Sequence, residues 1–149
     1  MKTKVTMEIK GGKEKIWKAI TDIQHAENIL SGIQKTEIIE QPSEGIIGLK
    51  WKETRRIFNQ EATETMWITD AVENESYTTR AESHGMVYIS HFDIIDKGEK
   101  CLLEMSFEGQ PSTFLAKISA LVFAKMMMKS TKKELLKDLK DIKAFVEQS

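Results

Sequence analysis

One cysteine in 149 residues excludes an internal disulfide framework and a thiolate metal cluster. Cys101, in a segment that alternates like a strand, reads as a small buried hydrophobe. Net charge is also scarce: 22 basic residues against 23 acidic ones leave −1, without a long basic run in either half. Nucleic acid therefore has no electrostatic footprint to follow, and no such partner is expected. No apolar run approaches the ~18 uninterrupted residues of a membrane span, since even Ile118 to Met128 is broken by Lys125. MKTKVTMEIK lacks the apolar core and small-residue cleavage site of a secretory signal. A cytoplasmic protein with no integral membrane segment is the expectation. G-x-S-x-G, phosphate loops, dinucleotide fingerprints and HExxH are absent too, so neither a cofactor nor a metal is anticipated. His25, His84 and His91 have no partners at ligand spacing and read as surface histidines, and Cys101 has no adjacent base to make it a nucleophile.

What is present suits one compact domain over residues 1–149, with 40% hydrophobic content for its core. Val5, Met7 and Ile9 alternate with polar residues as in a half-buried strand, ended by Gly11 and Gly12. KEKIWKAITDI spaces Ile16, Trp17, Ile20 and Ile23 on one helical face, and HAENIL continues as a second short helix before Gly32. A strand runs through KTEII. After the turn marked by Gly45 and Gly48, five strands follow to Gly109, broken at NQ, NE, HG and DKGE.

Directly paired residues in antiparallel hairpins share a face, so each turn predicts a register. A two-residue loop at Asn59-Gln60 pairs Phe58 with Glu61, Ile57 with Ala62, Arg55 with Glu64, Glu53 with Met66 and Trp51 with Ile68. A turn at Asn74-Glu75 pairs Ile68 with Ala81 and Met66 with Ser83. The His84-Gly85 turn pairs Ala81 with Tyr88 and Thr79 with Ser90. A four-residue DKGE loop pairs Ile94 with Cys101, Phe92 with Leu103, Ser90 with Met105 and Tyr88 with Phe107. One continuous inner face results, and the other face carries Lys50, Lys52, Arg56, Thr63, Thr65, Arg80, Glu82, Asp93, Glu104 and Glu108. Trp67, Val87, Ile89 and Leu102 point outward as scattered surface hydrophobes, or as a face shared in a homodimer.

The cover for the inner face is the carboxy-terminal segment. After Pro111, with Ser112 as its cap, nothing interrupts a helix from Thr113 to Val146, a span of about 50 Å at ~1.5 Å per residue. Met128, Thr131, Leu135, Leu139, Ile142 and Val146 form its apolar stripe; Lys132, Lys133, Lys137, Asp138, Lys140 and Asp141 fill its charged side. From Phe114 through Leu115, Ile118, Leu121, Val122 and Phe123 to the methionines 126–128, the helix is apolar on nearly all sides. Met side chains there serve as core filler or as an adaptable pocket wall.

This order, with the residues KIWKAITDI, GLKWKETRRIFNQEATETMWIT, YTTRAESHGMVY and TKKELLKDLKDIKAFVE, resembles the START-like (SRPBCC) superfamily in its polyketide cyclase/dehydrase-like branch over nearly the whole chain. The resemblance implies an α+β helix-grip fold: a curved antiparallel sheet of about seven strands wrapped on a long C-terminal helix, with two short helices after the first strand. It also implies a cavity between sheet and helix for a small hydrophobic or amphipathic molecule. The family name does not establish cyclase chemistry.

Within that frame the inward charges stand out. An unpaired buried charge costs several kcal/mol, so Arg55 needs a partner, and the register offers Glu64 with Glu53 nearby. Either these pin the hairpin, or Arg55 receives a ligand's anionic or polar group while Glu53 or Glu64 accepts a proton. Trp51, Met66, Met86, Tyr88, Met105 and Phe107 supply an apolar lining. Tyr88, Ser90, Thr79 and Ser83 bring hydroxyls, which in the simpler reading are satisfied by backbone or water. The leading expectation is a binding protein for a small apolar molecule with one polar or anionic group. An enzyme using Glu53 or Glu64 as base, and a protein-interaction or chaperone-regulating module, are the alternatives.

Overall fold

The computed structural model describes the backbone of residues 2–57 and 60–149, and their side chains apart from 57, 115–116 and 118–128. The expected apolar wall from Leu115 to Met128 thus lies outside the described side chains. In chain order the elements are β1 (Lys2–Lys10), α1 (Lys13–Thr21), a 3-10 helix (Ile23–Asn28), β2 (Ile33–Glu40), β3 (Lys50–Ile57), β4 (Gln60–Val72), β5 (Ser76–Ser83), β6 (Met86–Asp96), β7 (Lys100–Pro111) and α2 (Phe114–Gln148). All pairings are antiparallel, in the order β1-β7-β6-β5-β4-β3-β2, so the helical corner after β1 carries the chain to the opposite edge.

Alternation decides which face is buried, and α1 and α2 decide which part of that face is sealed. Val5, Ile9, Tyr77, Phe92, Ile94, Cys101, Leu103 and Met105 are buried together with Ile16, Ala19 and Ile20 of α1 and Leu135, Leu139, Ile142 and Val146 of α2. The second half of the long helix is therefore a core element, each such side chain contributing roughly 1.5 to 3 kcal/mol. Phe114 stands 76% exposed at the other end of α2. Ser112 does not cap this helix, which begins two residues later. Its hydroxyl and N–H instead donate to the carbonyl of Gly85, at 2.8 and 2.7 Å, tying the start of α2 to the β5–β6 turn.

Tyr77 joins sheet and helix. Its ring lies edge-on to Trp17 and tilted against Phe92, with centroids 6.0 and 5.3 Å away, and its hydroxyl donates to the carbonyl of Ile20 at 2.8 Å. Ile20 is in the last turn of α1, where carbonyls have no helical partner. Burial raises the phenol's pKa well above its usual range, keeping the donor protonated. Tyr77→Phe should therefore cost about 1 to 3 kcal/mol in urea unfolding. An unchanged midpoint would mean that the carbonyl finds water instead.

The β5–β6 register is as expected, Ala81 facing Tyr88 and Thr79 facing Ser90. His84 and Gly85 have φ of 51° and 76°, the left-handed pair that a two-residue hairpin turn needs. The other three registers differ. Trp51 faces Met66, Glu53 faces Glu64 and Arg55 faces Ala62. Met66 faces Ala81 and Ile68 faces Thr79. Ile94 faces Leu103, Phe92 faces Met105, Ser90 faces Phe107 and Tyr88 faces Gly109.

The causes lie in the turns. β3 and β4 close with Ile57 opposite Gln60, one residue earlier than a loop at Asn59-Gln60. The expected Phe58–Glu61 pair falls on a residue outside the description. β6 and β7 close more tightly than a four-residue loop, with the Lys97 N–H donating to the Lys100 carbonyl at 3.0 Å across Gly98 and Glu99. Shifting a turn's centre by one residue moves each partner by two, so every side chain keeps its face. β4 and β5 instead join with Val72 opposite Ser76, enclosing three residues, with Asn74 at φ 64°. That odd count would exchange the faces, and the irregularity between Ile68 and Asp70 exchanges them back.

Candidate functional site

At the far end of the inner face, β3 carries Trp51, Glu53 and Arg55 in one parity, and β4 sets Glu64 directly against Glu53. The expected Arg55–Glu64 ion pair does not form. Arg55 Nε donates to Glu53 at 2.7 Å, and Nη1 and Nη2 donate to the two carboxylate oxygens of Asp138 on α2 at 3.2 and 3.0 Å. Trp51 Nε1 reaches the other oxygen of Glu53 at 3.4 Å. A planar guanidinium thus spans sheet and helix with a two-pronged grip on one carboxylate. Burial opposes its charge, but Glu53 and Asp138 outweigh that and hold its pKa above the ordinary arginine value. Burial likewise raises the Asp138 carboxyl, and Arg55 pulls it only part of the way back.

Asp138 belongs to this network although its charge suggested the wet side of α2. Its side chain is 3% exposed. The signal was available: Asp138 lies three residues after Leu135 and four before Ile142, on the buried stripe itself. The space beside the guanidinium is supplied by Gly32, where an added Cβ would sit 3.3 Å from Arg55 Nη1.

Glu64 is the freer carboxylate. It is half-buried, and its pKa is raised, first by burial and further by the charge of Glu53, against the opposing pull of His84 and of the Ser83 hydroxyl. Burial, with the charge of Glu64 next, also raises Tyr88, whose ring stacks on Phe107 with centroids 5.6 Å apart. Glu64, Met66, Met86, Tyr88, Ser90 and Phe107 are half-buried, whereas Trp51, Glu53 and Met105 are buried. The structure therefore brings Glu53 and Arg55 into a closed network and leaves Glu64 outside it, near enough for its charge to act on Tyr88. Among the described residues no cluster of His, Cys, Asp and Glu suits a metal ion. No helix formed by the described residues is long and apolar enough to cross a membrane.

The family model described as polyketide cyclase / dehydrase and lipid transport matches residues 1–147. The chain belongs to this family. No curated protein matches it. Among solved structures, a START superfamily protein from Mycobacterium smegmatis is 17% identical with a TM-score of 0.83, over 99% of this chain and 97% of the other. An aromatase/cyclase from a Streptomyces species is 11% identical at 0.82, over 99% and 94%. A norcoclaurine synthase from a Thalictrum species is 13% identical at 0.74, over 99% and 94%. At such identities the likeness is one of fold: this polyketide cyclase/dehydrase-family chain has the START helix-grip architecture, a curved seven-stranded sheet with a long C-terminal helix.

Proposed function

We propose that residues 1–149 act as one ligand-binding domain, holding a small, mostly apolar molecule between the open end of the inner face and the first half of α2. Its polar group would lie at Glu64 and Tyr88. The observation that carries this reading is the contrast along one sheet face. Tyr77, Phe92, Leu103 and Met105 are fully packed, but Met66, Met86, Tyr88 and Phe107, of equal size and apolarity, are only half-covered. Apolar side chains left partly uncovered on a concave face favour a guest that completes the burial.

The chemistry of the guest follows from the charges. Arg55 already has two carboxylate partners, which argues against its taking an anion as well. Glu64 favours a donor, such as a hydroxyl or an amide N–H. In a titration followed by tryptophan fluorescence, 2-naphthylmethanol and 2-naphthamide should bind at least as tightly as 2-naphthoate. Met86→Lys should weaken all three about tenfold or more, by placing a charge in the apolar lining. No saturable binding of any of the three, with no small molecule carried through purification in native mass spectrometry, would overturn the reading. Preference for the carboxylate would return the ligand-gripping role to Arg55.

A second reading, acid–base catalysis by Glu64 on the bound molecule, is favoured by one observation: a half-buried carboxyl set directly opposite that of Glu53 on the inner face, where burial and then the neighbouring charge raise its pKa.

A further inference from the structure

Where β3, β4 and α2 meet, three acids face one base, and the base is already shared. We propose that the polar group of the guest is a protonated amine, seated on Glu64 with its apolar body against the stacked rings of Tyr88 and Phe107. The proposal rests on the reading of this face as a ligand site and narrows that ligand to an amphipathic cation.

The distribution of charge carries it. The inward positions of β3 and β4 hold Glu53, Arg55 and Glu64, and α2 adds the buried Asp138. Arg55 gives Nε to Glu53 and both terminal nitrogens to Asp138, so its charge is committed to those two. Glu64 stands directly opposite Glu53 in the ladder and joins no salt bridge among the described residues. Side chains so opposed have Cβ atoms about 5 Å apart, and like charges there repel. The inward positions of β5, β6 and β7 bring no basic residue. Lys117, Lys129, Lys132, Lys133, Lys137 and Lys140 of α2 are exposed. Among the described residues, then, nothing cationic answers Glu64, and an ammonium from the guest would.

The apolar half of the guest has its place one step farther in. Met66, two residues along β4 from Glu64, faces Ala81, which faces Tyr88 in turn; the Tyr88 ring stacks on Phe107 at 5.6 Å. Two residues of strand span about 7 Å, so a short linker between nitrogen and ring suits the spacing. Met66, Tyr88 and Phe107 are all half-buried. An ammonium near these rings gains a cation–π attraction besides its charge-assisted hydrogen bond, whereas a hydroxyl makes a neutral donor only.

The other groups around Glu64 leave this balance in place. Tyr88 on β6 is an uncharged phenol, its pKa raised by burial and then by Glu64, and Asp138 on α2 is turned to Arg55. His84, exposed at the β5–β6 turn, opposes the repulsion only when protonated.

The test is calorimetric titration of the whole chain at about pH 7.5, where imidazole is mostly neutral and a primary alkylamine still charged. The probes are 2-naphthylmethylamine and the isosteric 2-naphthylmethanol. The amine should bind about tenfold tighter or more. Glu64→Gln, which keeps an acceptor and loses the charge, should bring the ratio of the two affinities to about one. In wild type the ratio should also fall with pH as Glu64 takes up its proton. Without ligand, Glu64→Gln should raise the urea midpoint at neutral pH, a gain that fades on acidification. The sign follows from linkage: a carboxyl whose pKa is raised by folding costs stability above that pKa and nothing below its unfolded value. Equal affinities in wild type, a preference that survives Glu64→Gln, or no stability gain in that variant overturns the assignment, the last because a group of the protein would already be answering the charge. The ligand reading fails separately: it is lost if neither probe binds, and it stands without the cation if the alcohol binds as well as the amine.

Discussion

Asp138→Ala is expected to remove about 3 to 5 kcal/mol of folding stability, more than its place on a lysine-rich helix would suggest. The carboxylate is almost wholly buried and accepts from both terminal nitrogens of Arg55, so its loss leaves a guanidinium inside the fold with Glu53 as its remaining partner. The cost comes chiefly from the stranded charge. Replacing the group together, as Glu53→Leu, Arg55→Met and Asp138→Leu, should be far closer to neutral than the single change, because desolvating three charges offsets most of what their attraction returns. Urea unfolding of the three chains, wild type, Asp138→Ala and the triple variant, measures both effects. A loss below about 1 kcal/mol for Asp138→Ala would mean that Arg55 swings into water and that the helix is held by apolar packing alone.

Ending the chain after Glu134 should abolish cooperative unfolding altogether. That cut deletes Leu135, Leu139, Ile142 and Val146, which are 5%, 0%, 2% and 0% exposed, and opens the sealed end of the sheet above Ile9, Cys101 and Leu103. Leu139→Ala is the graded version, with an expected loss of about 2 to 5 kcal/mol, the upper part applying if the cavity fails to collapse. A truncated chain that keeps a sharp thermal transition would show that the second half of α2 is dispensable to the core.

Part of this architecture is legible in the amino-acid sequence and part is not. Strand identity and the inward or outward direction of each side chain follow from alternation, which a two-residue displacement does not disturb. Trp51, Glu53 and Arg55 therefore occupy the expected face while meeting different neighbours. The partner of Arg55 was not legible from the hairpin, because a β3–β4 turn centred one residue earlier sets Glu53 rather than Arg55 opposite Glu64 while leaving every side chain on its face. It was legible from the helix: the period that selects Leu135 and Ile142 also selects Asp138, and only its charge argued otherwise. The contact between Ser83 Oγ and His84 Nδ1, 2.7 Å apart, joins adjacent residues whose relative direction depends on a left-handed turn, something that composition and spacing do not encode.

The irregularity between Ile68 and Asp70 has an evolutionary corollary. A turn that slides by one residue changes which side chains sit together in a row across the sheet without moving any of them from inside to outside. A one-residue insertion does exchange inside for outside, but a compensating bulge farther along the strand confines the exchange to the stretch between. Sequence drift in this fold can thus recombine the neighbours along a binding surface while the packed end of the same strands goes unchanged. Relatives at 11 to 17% identity with TM-scores of 0.82 and 0.83 are what such a tolerance permits.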